Sequence, residues 1–361
     1  TTFHGLRFIA EDGRHWTERV FWLLCCLMSW IGSAFLIKES WDNFQNNAIS
    51  FVVETTYLHV DTKFPSISVC EDDHIGRIDV FAVEQYGPDH DCKLDEVLKE
   101  IVFYKGISYY IKEFCYSDDI SCPKNDYKNL TQLIRTSCEN IFEQCRWRDE
   151  EFDCCEHFKP INTELGVCYT LSSKTELQGN PEALNLISNT KLGPGFLLIE
   201  LKVLSKVYMH SESDIPFQNT ITTAIFQPNM NQHKRVSISI TDIENEPEVR
   251  QLSVSQRKCR FPDENPLTVS SEYSNSACVT ECRMKTQMKL CNCISHLVPN
   301  VDEKYHCDID GILCLNNNYY NLAVQKTKWG HKPGLDCDCL PGCEESEYNL
   351  VSEAVDDVLT D

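Results

Sequence analysis

The chain has 361 residues, 42% of them hydrophobic, and a formal net charge of −22. Such a surface repels phosphate and excludes a nucleic-acid partner; it is compatible with gathering cations and equally with plain solubility. Of 21 cysteines, 19 follow one apolar segment. Dense cysteine persists as disulfide only in an oxidising compartment, so residues 38–361 are expected outside the cell and residues 1–19 in the cytoplasm.

The apolar segment, residues 20–37, runs 18 positions without a charge. As a helix at about 1.5 Å per residue it reaches about 27 Å, close to the ~30 Å hydrocarbon core. One crossing of the plasma membrane is expected here, with lipid as its partner. Trp16 and Trp41 stand at its ends, where indole rings favour the headgroup layer, and Arg19 and Lys38 bracket it. Arg7, Arg14 and Arg19 precede it while only Lys38 follows closely, which agrees with the cysteine asymmetry. A signal peptide cut after Gly32, Ser33 and Ala34 is the weaker reading, because the preceding stretch is long and lacks a net positive start.

Beyond the segment, residues 50–60 (SFVVETTYLHV) and 64–70 (FPSISVC) are rich in β-branched and aromatic residues and read as strands. Residues 94–104 place Leu94, Val97, Leu98 and Ile101 at helical steps, and residues 130–142 read as a second amphipathic helix. These helices lie in an irregular, cysteine-punctuated stretch, 92–155, of the kind that decorates a sheet. It contains the sequon Asn129-Leu130-Thr131, a glycosylation acceptor, and the acidic run Asp149, Glu150, Glu151 and Asp153, read as a solvated charge cluster. Residues 196–210 and 235–241 read as further strands that complete a central, mostly antiparallel sheet. The fold class expected is α+β.

Cys278 and Cys282 are four apart in residues 275–290, whose composition favours helix, so they rise about 6 Å along one face. Cys337 and Cys339 are two apart between Pro333 and Pro341, where an extended chain separates them by about 6.6 Å. The matched spacings suit a two-rung disulfide ladder in either the parallel or the antiparallel pairing. Cys291, Cys293 and Cys307 with His296 or His306 have the residue types of a zinc site, yet extracellular thiolates are usually oxidised. Asp308, Asp310 and Gly311 begin like a calcium loop that Leu313, Leu315 and Asn316 do not continue. No metal, no cofactor and no enzyme activity is expected; HExxH, GxSxG and phosphate-cradling glycine loops do not occur.

At these residues the chain resembles the degenerin/epithelial sodium channel family, and more closely its insect pickpocket branch. His4-Gly5 before a single apolar helix is similar to the family's cytoplasmic HG motif. Phe64-Pro65 leading to Cys70-Glu71 is similar to its first palm strand, Gly166-Val167-Cys168-Tyr169-Thr170 to its GxCYT element, and Tyr208-Met209-His210-Ser211 with Pro216 to a palm strand ending in HS. Cys278, Cys282, Cys291, Cys293, Cys307, Cys314, Cys337, Cys339 and Cys343 match the thumb framework in number and order.

The resemblance implies an N-terminal transmembrane helix and a disulfide-rich ectodomain. Its palm strands fall at about 48–75, 165–260 and 344–352, its finger at about 92–160 and its thumb at about 272–340. It implies the pairs Cys278–Cys339 and Cys282–Cys337, which selects the antiparallel ladder, and Cys291–Cys314, Cys293–Cys307, Cys259–Cys343, Cys70–Cys168 and Cys138–Cys145. Cys92, Cys115, Cys122, Cys154 and Cys155 remain, an odd set in which at least one is free or bonded to another chain; Cys115–Cys122 is the local bridge expected. The function implied is that of a subunit of an amiloride-sensitive, non-voltage-gated sodium channel, assembled as a homo- or heterotrimer. His4 and Gly5 near the inner pore mouth, and Trp41 where residues 40–44 form the wrist, are the gating residues implied.

Three departures stand out. Leu171 replaces the phenylalanine usual after CYT, and Ser255-Gln256-Arg257-Lys258 lacks the tryptophan by which acid-sensing relatives press thumb on wrist. The last palm strand's continuation, the second transmembrane helix and the GxS segment expected beyond Asp361 are not in this sequence, so the chain is not expected to conduct by itself. The rival reading is a single-pass, cysteine-rich receptor or adhesion ectodomain without transport activity.

Overall fold

The computed structural model describes residues 6–47, 49, 52–53, 61–115, 122–177, 183–229, 232–327 and 329–357. Two compact units divide the chain: residues 1–54 with 246–258, and residues 55–245 with 259–361.

The first unit is built on the helix Trp16–Asn46. Its 31 residues extend about 46 Å at 1.5 Å each. It contains the apolar segment but continues past Ile37 through Lys38, Glu39 and Asp42, so residues 40–44 are helical instead of forming a linker. Every backbone bond made inside the helix is one not owed to lipid, and the apolar stretch buries no side chain within the chain. A short helix, Leu6–Ala10, precedes it. Phe8 stacks on Trp22 at 4.6 Å, and Arg14 lies over Phe8 while pairing with Glu11 and Glu18. His4 and Gly5 lie outside the described residues.

The second unit is mixed α and β. Its strands are β1 (Thr62–Lys63), β2 (Ser66–Glu71), β3 (Phe142–Trp147), β4 (Glu150–Phe152), β5 (Lys159–Thr163), β6 (Gly166–Leu171), β7 (Ile187–Ser188), β8 (Leu197–Leu201), β9 (Ser205–His210), β10 (Ile225–Phe226), β11 (Gln232–Ile243) and β12 (Glu345–Asp357). A five-stranded antiparallel sheet runs β10-β9-β2-β6-β5. β2 is central because it is hydrogen-bonded on both edges and all six of its residues, SISVCE, are buried. Ile67, Val69, Leu171 and Met209 join Phe142, Trp147 and Phe158 in the core beneath it.

Two sequence expectations are corrected here. Residues 196–210 are not one strand: the chain turns at Lys202–Leu204, so β8 joins β3 and β4 in a separate three-stranded sheet while β9 pairs with β2. Residues 235–241 do not extend the central sheet; as part of β11 they pair with β12 in a long antiparallel ribbon, with a bulge at Ser237/Ile238. Most of the strand expected at 50–60 lies outside the described residues.

The helical stretch also differs from expectation. Leu94 falls in the helix Cys92–Val102, with Leu94, Val97, Leu98, Ile101 and Val102 buried as its periodicity dictates. It packs on a helix the spacing did not announce, Ile75–Tyr86, through Ile78 and Ala82. The helix expected over 130–142 breaks in two. Tyr127–Ile134 stops at Arg135, whose ψ of 146° is extended, and Cys138–Ile141 adds one turn before β3 begins at Phe142. The cause is Arg135, whose buried guanidinium seeks carbonyl groups that a continuing helix would carry it away from.

Candidate functional site

Three segments singled out in the sequence converge on one buried polar chain. β2 and β6 place Ser68 opposite Thr170, and β2 and β9 bring Ser68 beside His210. The Ser68 hydroxyl lies 2.6 Å from Thr170 Oγ1 and 2.7 Å from His210 Nε2. His210 Nδ1 donates to the Ser211 carbonyl at 2.8 Å, leaving Nε2 to accept from Ser68. Burial holds this imidazole below its ordinary pKa, so it stays neutral. Beyond it, Ser211 donates to Asp214, and Asp214 accepts from Ser276 at 2.6 Å, tying the end of β9 to the first turn of the helix Asn275–Cys291.

Arg135 explains the glycine that opens the GVCYT run. Its guanidinium donates to the carbonyls of Glu71, Val102 and Leu165 at 3.1, 2.9 and 2.8 Å and lies over the Phe103 ring. Burial brings its pKa down to about 10, countered by Glu71 and Asp72, so it remains charged at neutral pH. Gly166 has a φ of +100°, and a Cβ there would sit 2.7 Å from Arg135 Nη2. Only glycine meets both demands.

A second buried charge fixes the helix Asn275–Cys291. Arg283 pairs with Glu164, from the turn between β5 and β6, and both side chains are 2% exposed. The guanidinium also reaches Asn219 Oδ1 and donates to the Leu322 carbonyl, while Glu164 accepts from the Gln218 amide. Every strong donor finds an acceptor, which is what a buried ion pair requires.

The disulfides are Cys70–Cys168, Cys115–Cys122, Cys138–Cys155, Cys145–Cys154, Cys259–Cys343, Cys278–Cys339, Cys282–Cys337, Cys291–Cys314 and Cys293–Cys307. The expected Cys138–Cys145 pair is corrected. Cys145 sits on β3 opposite Phe152 and faces the short helix Cys154–His157, so it takes Cys154 and leaves Cys155 for Cys138. Cys92 is free and exposed; Cys25 and Cys26 are free in the long helix. The thiols of the zinc-like set are consumed by disulfides, and His296 is buried with Nε2 donating to the Ile101 carbonyl, its pKa driven down to about 3 by burial. Asp308 caps the helix Ile309–Asn317 through the Gly311 amide. Gly311 itself has no room for a Cβ, which would lie 2.5 Å from Cys293 Sγ.

Within the first unit, Trp41 is exposed and lies 6.2 Å from the Phe44 ring. One turn on, Gln45 meets the short helix Val254–Arg257. The Gln256 side chain has both ends committed: its oxygen accepts from the Ser253 amide at 3.2 Å and its nitrogen donates to Gln45 Oε1 at 3.0 Å. Composition gave no signal for this joint. Asn129 is exposed near the start of the helix Tyr127–Ile134, with its side chain donating to Asp126.

A helix long and apolar enough to span a bilayer, a mixed α+β body and nine disulfides define the class: a membrane-anchored, disulfide-braced protein. The amiloride-sensitive sodium channel family matches the chain over residues 1–357, and the chain belongs to that family. It is similar to the sodium channel protein Nach of Drosophila ananassae, 21% identical over 97% of this chain and 70% of the relative. Pickpocket protein 28 of Drosophila melanogaster is 23% identical over 96% of this chain and 62% of its own length. The bile acid-sensitive ion channel of Rattus norvegicus is 22% identical over 96% and 68%. The chain thus spans 62% to 70% of the length of these relatives.

Proposed function

We propose that this chain is a subunit of an amiloride-sensitive, non-voltage-gated sodium channel of the plasma membrane, opened by an extracellular or mechanical stimulus and assembled with other subunits as a homo- or heterotrimer. The observation that carries the reading is the family match over residues 1–357. In this reading residues 1–19 are cytoplasmic, the apolar segment spans the bilayer, and residues 38–361 face outward as palm (about 48–75, 165–260 and 344–352), finger (about 92–160) and thumb (about 272–340). Disulfides and the buried Arg283–Glu164 pair make the outer body stiff, and stiff elements move as units that pass displacement on. The Gln45–Gln256 contact is the joint through which the segment before Cys259 acts on the helix, taking the place of an aromatic contact, with Trp41 beside it. His4 and Gly5 shape the inner mouth. Co-expression with a full-length pickpocket-type subunit in oocytes tests the reading: the chain should co-purify with it and alter the amiloride-blocked sodium current. Absence of association together with an unchanged current overturns it.

A further inference from the structure

Asp79, His90 and Asp95 come together on the helical hairpin formed by Ile75–Tyr86 and Cys92–Val102, each offering one ligand atom, with these atoms all within 4.8 Å of one another. They come from three places: Asp79 from the first helix, His90 from the connecting loop and Asp95 from the first turn of the second. Nothing in a spacing of 79, 90 and 95 announces them, because the set exists only once the hairpin closes.

Their chemistry is specific. His90 Nδ1 donates to the Gly87 carbonyl at 2.8 Å, a contact outside the ligand set that fixes the ring and turns Nε2 toward Asp95 Oδ1 at 2.9 Å. The carbonyl holds one ring nitrogen as in metal-bound histidines, and a cation at Nε2 takes the place of the proton that nitrogen donates to Asp95, which is released to water. The set rests on a rigid base: Ile78 and Leu94, each adjacent in sequence to a ligand, are buried in the packing between the two helices. Two carboxylates balance a dication. One nitrogen and two oxygens suit zinc and its neighbours, whereas calcium and magnesium ask for six or more oxygens.

We propose that Asp79, His90 and Asp95 form an extracellular zinc-class divalent cation site that staples the two helices of this hairpin, with water in the fourth position. Tetrahedral bonds of about 2.1 Å hold donors about 3.4 Å apart, so binding opens the 2.9 Å His90–Asp95 contact by about 0.5 Å and draws Asp79 in. Asp79 is exposed and free to make that movement.

The test uses the full chain in detergent micelles, stripped with chelator and carrying Cys92→Ser so that the free thiol contributes nothing. Zn2+ is titrated by calorimetry and Co2+ by visible absorption. One saturable site is expected, weakened about 100-fold by His90→Ala or Asp95→Asn and at least about tenfold by Asp79→Asn. Asp79→Asn lies on the exposed face and leaves the fold intact, so its loss reads the ligand role alone. Hydrogen exchange over residues 75–102 should slow on Zn2+ addition and not in Asp79→Asn. No saturable Zn2+ binding, or equal affinity in all three variants, overturns the proposal, as does Ca2+ binding as tightly as Zn2+.

Discussion

Residues 275–343 and residues 115–155 are both dense in cysteine, yet only in the first does spacing narrow part of the pairing, to two alternative ladders. In 275–343 the partners sit on regular elements: two cysteines on one helical face meet two on an extended segment, so Cys278–Cys339 and Cys282–Cys337 follow from spacing once the direction is chosen. In 115–155 the adjacent pair Cys154-Cys155 lies at the start of a short helix, where successive side chains point about 100° apart. Which one meets Cys145 depends on where β3 and β4 turn. Cysteine order encodes a bond only as far as local structure fixes the direction of each thiol.

The largest effect expected is at the charge beneath the ladder. Arg283→Met leaves Glu164 buried without its cation and should cost about 3 to 5 kcal/mol by urea unfolding of the solubilised chain. A loss below about 1 kcal/mol would mean that crosslinks alone hold the helix. Next, Cys282→Ser with Cys337→Ser opens a sequence separation of 55, against 9 for Cys145→Ser with Cys154→Ser. Because the neighbouring bonds Cys278–Cys339 and Cys138–Cys155 stay closed, each removed bond seals only a short extra loop, and loop entropy predicts similar losses of about 2 to 2.6 kcal/mol despite the unequal separations. A clearly larger loss for Cys145→Ser with Cys154→Ser, measured by the same unfolding, would show that the compact 115–155 stretch depends on its bonds more than the ladder does.

His296 tests the contact between residues 275–343 and the helix Cys92–Val102, because it follows the ladder helix and donates to the Ile101 carbonyl. Its pKa in the folded chain, about 3, lies below the ordinary 6.5, held there by burial and by His306 and Arg135. The unfolded chain therefore takes up the proton first. This contribution is complete above pH 6.5 and is lost as pH falls toward 3, by about 1.4 kcal/mol for each pH unit. Comparing urea midpoints at pH 7 and pH 4.5, His296→Gln should flatten the acid loss; an unchanged slope would assign it to other groups such as His210. The smallest effect is a mass shift. Maleimide applied to the intact, folded chain should label Cys92 and no other cysteine of residues 38–361, and labelling at Cys155 would break the pairing described.

The spanning segment was legible because charge is absent from it, but the helix beyond Ile37 was not, since polar residues in an exposed helix carry no periodic mark. The core helix at Cys92–Val102 was legible from four apolar positions. Its neighbour Ile75–Tyr86 was not, with only Ile78 and Ala82 buried. Arg135 broke an expected helix for partners 30 to 64 residues away, a separation no window captures. The convergence of Ser68, Thr170 and His210 was invisible for the same reason, although each stood in a segment already singled out.

Gln256 sets the character of the joint it makes. A covalent rung holds until it breaks, but an amide that donates to Gln45 at one end and accepts from the Ser253 amide at the other lets go cheaply and re-forms in the same alignment. The contact between this short helix and Gln45 is a clasp and not a weld: it parts at the cost of a hydrogen bond and closes again with no covalent bond broken.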